Sequence, residues 1–229
     1  MNILALDTCS EMCSTALLFQ GKRYELTKKT QRGHSDLVLG MMDNLFEQSA
    51  SSLSDVDVLA FGRGPGSFTG VRVGVSVAQG IAFAREIPVV PISSLAAVAQ
   101  KAADEIGSAY IAVAMDARMG EIYCAHYHYD GKSIRLLNQE RVCNPTDFVP
   151  YHQGACVGVG TAWSVYETQL QANFGRLLSH VEANYYPEAV NVITLAEDEI
   201  LAGNLLRAEQ ALPVYLRDNV AKKKAEQGG

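Results

Sequence analysis

The sequence predicts an α/β protein built from two similar halves, and three observations support this prediction. An apolar run that ends in a carboxylate occurs twice, at residues 2–8 (NILALDT) and 111–118 (IAVAMDAR). Each run is followed by a second strand pattern and by a turn that contains Gly-Lys. A strand, a glycine loop and a helix pattern then follow in the same order in both halves. This order predicts the duplicated ribonuclease-H-like, actin-like (ASKHA) fold, with two halves of the βββαβα type.

In the first half, the elements can be justified in order along the chain. Three short strands come first, because apolar runs are separated by turn residues, including a Gln-Gly-Lys turn. Ser35 and Asp36 are candidate caps of the first helix, whose apolar residues recur at helical spacing. The predicted strands and helices, in chain order, are residues 2–8, 13–19, 23–28, 35–48 (helix), 58–61, 70–84 (helix), 88–92 and 94–106 (helix).

The second half repeats this beginning over residues 111–118 and 121–127, which predict two further strands. Residues 155–161 (ACVGVGT) then echo the strand and glycine loop of the first half, with a helix expected behind them. The chain is therefore predicted to divide into an N-terminal half, a C-terminal half and a polar, frayed tail, at residues 1–107, 108–221 and 222–229.

Composition and charge exclude several classes of protein. The chain has 229 residues, of which 48% are hydrophobic, and a formal net charge of −6. An acidic chain lacks the overall attraction that dominates nucleic-acid binding, so this chain is not expected to provide the main contact to any RNA. The opening residues predict a strand rather than a signal peptide, and no run reaches the roughly 18 apolar residues of a membrane span. Five cysteines without a CxxC pair argue against a disulfide framework or a zinc site. We therefore expect a cytoplasmic protein with no membrane partner.

Asp7 and Asp116 end the two repeated opening strands and form the most evident pair of candidate site residues. Two carboxylates that face each other across a cleft could position Mg²⁺ and the phosphates of a nucleotide. Alternatively, each carboxylate tightens its own turn through backbone hydrogen bonds. Phosphate-binding hairpins place glycines after the aspartate, whereas Asp7 is followed by Thr-Cys-Ser and the carboxylate of Glu11. The sequence therefore favours the structural interpretation.

The glycine loop at residues 62–70 (GRGPGSFTG) also has two interpretations. It lacks the GK[ST] ending of a P-loop, but it precedes a helix whose N-terminus could bind an anion. Alternatively, its glycines permit a tight turn and close helix packing. We predict a vestigial or shared phosphate loop, formed together with Asp7 and Asp116 by Arg63, Gly64, Gly66, Ser67, Thr69 and Gly70.

The first two predicted helices carry broad apolar stripes that indicate a helix-on-helix interface. Methionines in the first helix suit a surface that repacks against partners, and small residues in the second allow close approach. Burial against the protein's own sheet remains the alternative for at least one face of each helix. The residues predicted to contact a partner are Leu37, Val38, Met41, Met42, Leu45, Val71, Gly74, Val75 and Ala78.

No local motif of a catalytic centre is present in the sequence. The five histidines form neither an HxxxH nor an HExxH pattern, and no serine or cysteine stands in a G-x-S-x-G elbow. We therefore predict no catalytic residue and no metal ligand in this chain.

Three stretches together carry a family resemblance. Residues 2–8, residues 62–74 (GRGPGSFTGVRVG), and Asp116-Ala117-Arg118 with Glu121-Ile122-Tyr123 resemble the TsaB (YeaZ) family of bacterial tRNA threonylcarbamoyladenosine biosynthesis proteins. The resemblance covers nearly the whole chain. It implies the duplicated actin-like fold and a role in forming the threonylcarbamoyl modification on an adenosine beside the anticodon of tRNAs that read ANN codons.

The chain departs from the related TsaD family, whose members transfer the threonylcarbamoyl group. TsaD-type chains carry His-x-x-x-His for a metal on the helix after the strand that corresponds to residues 89–92. Ser94 and Val98 stand at those positions here, and valine cannot ligate a metal. The resemblance therefore implies a non-catalytic subunit.

Partners and cofactors are also implied by the resemblance. The chain would pair with a TsaD-type subunit through its first two helices, join a TsaE-type ATPase in a larger complex, and form a homodimer when alone. It would bind no cofactor tightly, since ATP and a metal are used by the partner subunits. Two alternatives remain: an actin-like ATP-binding phosphotransferase or ATPase, and a peptidase that acts on the TsaD-type partner.

Overall fold

The computed structural model describes residues 1–30 and 33–217, and this part of the chain forms two sheets with helices between and around them. In the first half the elements are β1 Ile3–Asp7, β2 Met12–Phe19, β3 Lys22–Lys29, α1 His34–Ser49, β4 Val58–Gly62, α2 Phe68–Arg85, β5 Val89–Ile92 and α3 Ser94–Ile106. In the second half they are β6 Tyr110–Asp116, β7 Ile122–Tyr129, β8 Ile134–Leu136, β9 Arg141–Cys143, β10 Cys156–Val159, α4 Ala162–Val165, α5 Glu167–Phe174, β11 Leu178–Glu182 and α6 Ala189–Leu201.

The first sheet has the order β3-β2-β1-β4-β5. β2 runs antiparallel to both of its neighbours, β1 and β3, whereas β4 and β5 run parallel to β1. β1 lies in the middle because all five of its residues are buried, and a continuous apolar run can be covered on both faces. α1 and α2 pack on one face of the sheet and α6 packs on the other.

The second sheet has the order β11-β10-β6-β7-β8, and β9 also pairs with β7. β6 corresponds to β1, and its parallel neighbour β10 corresponds to β4. Where the first half has α1, the second half has a 3-10 turn at Pro145–Asp147. Residues 144–155 contain two prolines and a glycine, which prevent a long helix there. The two sheets confirm the predicted fold class, with a shortened second half.

α3 and α6 lie between the two sheets, and each packs on the sheet of the other half. Apolar residues of α3 contact the second sheet around Ile111 and Val157, whereas α6 covers the first sheet around Ile3 and Ala5. The layers are therefore α1 and α2, the first sheet, α6 and α3, the second sheet, and α4 with α5. The division after residue 107 stays a prediction, and these two helices pack across it.

Several element ends differ from the prediction by a few residues. α2 begins at Phe68 rather than at residue 70, because Ser67 caps it: the Ser67 Oγ accepts a hydrogen bond from the Gly70 N–H at 3.0 Å.

The segment that follows α6 contacts both halves. Leu206 pairs with Val89 in the first half, and the Arg217 guanidinium donates to the Glu121 carboxylate in the second half. The polar tail at 222–229 lies outside the described residues. Within the described residues, no helix is long and apolar enough to cross a membrane.

Candidate functional site

A cleft of about 580 Å³ lies between the hairpins that open the two halves. The β1–β2 turn and the glycine loop form one side, and the β6–β7 hairpin forms the other. The turns that follow β1 and β6 lie opposite each other, so residues from both turns line this one cleft. Among the residues that line the cleft are Glu11, Gly66, Ser67, Ser94, Asp116 and Arg118.

Asp7 is fully buried and lies beneath this cleft. Its carboxylate accepts hydrogen bonds from the Cys9 N–H at 2.8 Å and from the Ser94 hydroxyl at 3.1 Å. Burial raises its pKa from 3.8 to about 7, against the opposing effect of the hydrogen bonds from Cys9 and Ser94. Cys9 and Ser94, which line the cleft, cover this carboxylate. Asp7 is therefore a buried group that joins β1 to the start of α3.

Asp116, by contrast, lines the cleft at the end of β6. Its carboxylate accepts hydrogen bonds from the Arg118 N–H at 2.9 Å and from the Tyr166 hydroxyl at 3.3 Å. The Arg118 guanidinium pairs with Asp116 at 3.3 Å and, across the cleft, with Glu11 at 3.0 Å. The structure thus brings Asp116 to the cleft and leaves Asp7 below it. A phosphate-binding role for either residue stays a prediction.

Sequence reasoning missed the part that Arg118 plays at this cleft. The available signal was a pair of opposite charges, Glu11 and Arg118, at similar positions in the two hairpins. The ion pair between them joins the two sides of the cleft. A phosphate that entered the cleft would meet the Glu11 carboxylate as well as the guanidinium.

The glycine loop is packed tightly against the segment that follows β1. A Cβ on Gly66 would lie 2.2 Å from the Cys9 carbonyl oxygen, and one on Gly70 would lie 2.0 Å from that of Thr8. The Ser67 N–H donates to the Cys9 carbonyl at 2.7 Å. Because Gly66 and Gly70 have no side chain, the backbone of Thr8 and Cys9 packs directly against them. This is the close packing that was one of the two interpretations of the glycine loop.

The remaining residues of the predicted phosphate loop have separate surroundings. Gly64 has a φ of +95°, and a Cβ there would lie 2.9 Å from the Val214 carbonyl oxygen. The Arg63 guanidinium is 3.5 Å from the Glu140 carboxylate of the second half. Thr69 is exposed on the first turn of α2, whereas Ser67 lines the cleft. Arg63 is thus directed to Glu140, and its contact with an anion stays a prediction.

Most of the residues predicted to contact a partner are in the core of the protein itself. The apolar stripes of α1 and α2 cover the first sheet, and Gly74 lies against the Thr8 side chain. Leu37 is half-buried, and the buried residues of this set are Val38, Met41, Met42, Leu45, Val71, Gly74, Val75 and Ala78. Their contact with a partner stays a prediction, because own-sheet packing already accounts for their apolar character.

The outer faces of the same two helices remain exposed. Leu39 and Phe83 are 51% and 67% exposed, respectively. Gly40 on α1 and Gly80 on α2 are also exposed, and a Cβ at either position would meet no atom within 4 Å. Leu39, Gly40, Gly80 and Phe83 define this outer face, which presents two apolar side chains and two glycines, and the exposed Asp43 and Asn44 of α1 lie beside it. The sequence did not separate it from the buried face, since both carry apolar residues.

Comparison with known proteins agrees with the geometry. A family model described as TsaD, tRNA N6-adenosine threonylcarbamoyltransferase, matches residues 26–225. The chain is 38% identical to the tRNA threonylcarbamoyladenosine biosynthesis protein TsaB of Haemophilus influenzae, over 98% of this chain and 97% of that protein. It is also 38% identical to TsaB of Escherichia coli, over 98% of each chain.

A solved structure supports the same relationship. YeaZ from Pseudomonas aeruginosa superposes with a TM-score of 0.88 at 40% identity, covering 94% of this chain and 99% of that chain. Identity at this level over nearly the whole of both chains indicates common descent of the complete fold. The chain therefore belongs to the TsaB (YeaZ) family of tRNA threonylcarbamoyladenosine biosynthesis proteins, which is related to TsaD.

Proposed function

We propose that this chain is a non-catalytic subunit of the complex that forms threonylcarbamoyladenosine in ANN-decoding tRNAs. It pairs with a TsaD-type subunit and joins a TsaE-type ATPase, and it acts as scaffold and activator. ATP and a metal are used by those partners, while this acidic chain contacts tRNA only through the complex. Its place is the cytoplasm, where tRNA is modified.

The observation that carries this proposal is the surroundings of Ser94 and Val98. These residues stand where a TsaD-type chain has its two metal-binding histidines. The Ser94 hydroxyl donates a hydrogen bond to the buried Asp7 carboxylate, so this side chain already has a partner inside the protein. Val98 is fully buried on α3 against the second sheet, and its side chain has no atom that could ligate a metal. Serine is a poor metal ligand beside imidazole and valine is none, so the two positions lack the pair of histidines of a TsaD-type centre.

The outer face of α1 and α2 is the surface that we propose for the TsaD-type subunit. Its apolar side chains are available without unfolding the chain, and its glycines let another helix approach closely. In the absence of that subunit, the same face pairs two copies of this chain. Met41, one of the residues predicted to contact a partner, is 8% exposed, so a charge there would damage the fold as well as an interface.

Reconstitution with purified proteins tests the proposal. Transfer of threonylcarbamoyl to an ANN-decoding tRNA is measured with this chain, a TsaD-type subunit and a TsaE-type ATPase, together and singly, with threonylcarbamoyl-adenylate as donor. We expect no transfer and no ATP turnover by this chain alone, and faster transfer when it joins the TsaD-type subunit. Transfer or ATP turnover by the chain alone would support an enzyme instead, and cleavage of the TsaD-type subunit, seen by intact mass, would support a peptidase.

Charge substitutions on the outer face test the proposed surface. Leu39→Glu and Phe83→Glu should each weaken association with the TsaD-type subunit by about tenfold or more, since a carboxylate would be buried against an apolar partner. Leu201→Glu is the matched control, because Leu201 is 86% exposed at the end of α6, on the other side of the first sheet. Equal affinity of all three variants and the unchanged chain in titration calorimetry would place the interface elsewhere.

A further inference from the structure

Two cysteines of the second half lie side by side on neighbouring strands. In the register of β7 and β9, Cys143 is opposite Ile122 and Cys124 is opposite Arg141, so the two thiols are diagonal neighbours on one face. Their sulfur atoms are 3.4 Å apart. β9 has three residues and pairs only with β7 within the described residues, so it can shift more easily than a central strand. Diagonal neighbours start farther apart than directly opposite residues, so closing a disulfide between these adjacent sulfurs requires the shift that the edge position of β9 allows.

The two thiols differ in exposure and in acidity. Cys124 is fully buried, whereas Cys143 is partly exposed. The hydrogen bond from the Cys124 thiol lowers the pKa of Cys143, and the Arg141 guanidinium adds to this effect, while burial opposes it. The same hydrogen bond and burial raise the pKa of Cys124. Cys143 is thus the more nucleophilic sulfur, with a protonated thiol beside it.

We propose that Cys124 and Cys143 form a peroxide-sensitive thiol pair that closes to a reversible disulfide between β7 and β9. Cys143 is the sulfur that meets the oxidant, and Cys124 is the resolving thiol. An accessible thiolate beside a second thiol is the arrangement in which oxidation stops at a disulfide.

The chemistry balances with hydrogen peroxide as the oxidant. The Cys143 thiolate attacks one peroxide oxygen, the O–O bond breaks, and the departing hydroxide takes a proton to become water. The Cys124 sulfur then attacks the sulfur of the Cys143 sulfenic acid, forming the S–S bond as the S–O bond breaks. The released hydroxide accepts the proton of the Cys124 thiol. In sum, the two thiols lose two electrons and two protons, and one peroxide becomes two waters.

The other three cysteines are unsuited to this reaction. Cys9, Cys13 and Cys156 are buried, and burial raises the pKa of each, to about 11 for both Cys13 and Cys156. The carboxylate of Asp7 acts in the same direction on Cys9 and Cys13. A neutral, buried thiol reacts slowly with peroxide, so oxidation is expected to be selective.

Peptide mapping after peroxide treatment of the full chain tests this proposal. The dose is one that oxidises glutathione completely in a parallel tube. The chain is then denatured and alkylated with iodoacetamide. We expect three alkylated cysteines in place of five, a non-reduced peptide that joins Cys124 to Cys143, and a return to five alkylated cysteines after dithiothreitol.

Variants separate the roles of the two sulfurs. In Cys124→Ser, the resolving thiol is missing, so dimedone should trap a sulfenic acid on Cys143. Cys143→Ser should keep all four remaining thiols, and the matched control Cys156→Ser should still form the Cys124–Cys143 link. Five alkylated cysteines in the peroxide-treated original chain, or a linked pair other than Cys124 and Cys143, would overturn the proposal.

Discussion

The two opening hairpins begin from the same sequence pattern, yet they place their carboxylates in different surroundings. Asp7 is fully buried, with a pKa of about 7, and is covered by Cys9 and Ser94. Asp116 lies at the cleft and pairs with Arg118, whose side chain is 74% exposed. The comparison shows that the same pattern of strand and aspartate can end in a fully buried carboxylate or in one that lines the cleft. The residues that pack over the strand end decide how deeply the carboxylate is buried, since Asp7 has no exposed surface and the Asp116 side chain is 11% exposed.

Glycines of the first half make this burial possible. Gly62 stands so close to Asp7 that a Cβ would lie 1.9 Å from its carboxylate, and the loop glycines receive Thr8 and Cys9. In the second half, the glycine that follows β10, Gly160, packs against the carbonyl of Ala114, two residues before Asp116, and Asp116 lines the cleft. The close approach of a glycine to the carboxylate is therefore a feature of the first half.

The largest change in stability is expected from a methyl group added to the glycine loop where it packs on the end of β1. Gly70→Ala places a Cβ 2.0 Å from the Thr8 carbonyl oxygen, which is backbone and cannot move aside, so we expect a loss of about 3 kcal/mol or more in the free energy of unfolding. Gly80→Ala in the same helix meets no atom within 4 Å and should stabilise by up to about 1 kcal/mol, because alanine is the better helix former. Urea unfolding of both variants measures the contrast. Similar stabilities would show that the loop is not held against the β1 end.

The second effect concerns the pH dependence of stability. Asp7 has its pKa raised in the folded state from 3.8 to about 7, so between these values the folded chain holds a proton that the unfolded chain has released. Stability therefore falls as the pH rises through this window. Asp7→Asn keeps the shape without the charge: its amide oxygen can accept from the Cys9 N–H, and its NH2 group donates to the Ser94 oxygen, which reverses that hydrogen bond. Its stability relative to the original chain should increase by about 3 kcal/mol between about pH 5 and about pH 8.

Urea unfolding at both pH values checks this expectation, and Asp116→Asn is the control from the β6–β7 hairpin. Since Asp116 pairs with a largely exposed guanidinium, its substitution should change stability by less than about 1 kcal/mol. If Asp7→Asn and the original chain lost stability in parallel as the pH rose, Asp7 would not be the buried acid described here.

The smallest effect is expected at the ion pair that joins the two hairpins. Glu11 and Arg118 are 35% and 74% exposed, so a double-mutant cycle with Glu11→Gln and Arg118→Gln should give a coupling of about 0.5 kcal/mol that high salt removes. A coupling of about 2 kcal/mol or more would mean that this pair, rather than the packed helices, holds the cleft in its observed form.

Much of the fold could be predicted because it repeats along the chain. The order of strands, glycine loops and helices returned in the second half, and the resulting fold class was confirmed. The strands β8 and β9 of the shortened second half could not be predicted from the sequence, since three residues are too few to show an alternating pattern. Local periodicity identifies an element only when it continues over several turns or alternations.

The candidate site could be predicted only in part, because its decisive contacts join distant residues. Ser94 was singled out for its chemistry, but its bond to Asp7 joins residues that are far apart in the sequence. Likewise, the spacing of apolar residues predicted an apolar stripe on α1. It did not show that this stripe packs on the first sheet, or that Leu39 on the opposite face of the helix remains exposed. Burial depends on what the rest of the chain covers, which a local pattern does not contain.

The exchange of α3 and α6 between the two sheets has a consequence for the newly made chain. A ribosome releases β1 to β5 first, but α6, which covers one face of their sheet, comes about a hundred residues later. α3 is also synthesised before the second sheet, so its apolar face has no sheet to pack on until those strands have been made. During that interval both apolar surfaces are open to chaperones or to other nascent chains. We therefore expect the native core to close only after translation has nearly ended.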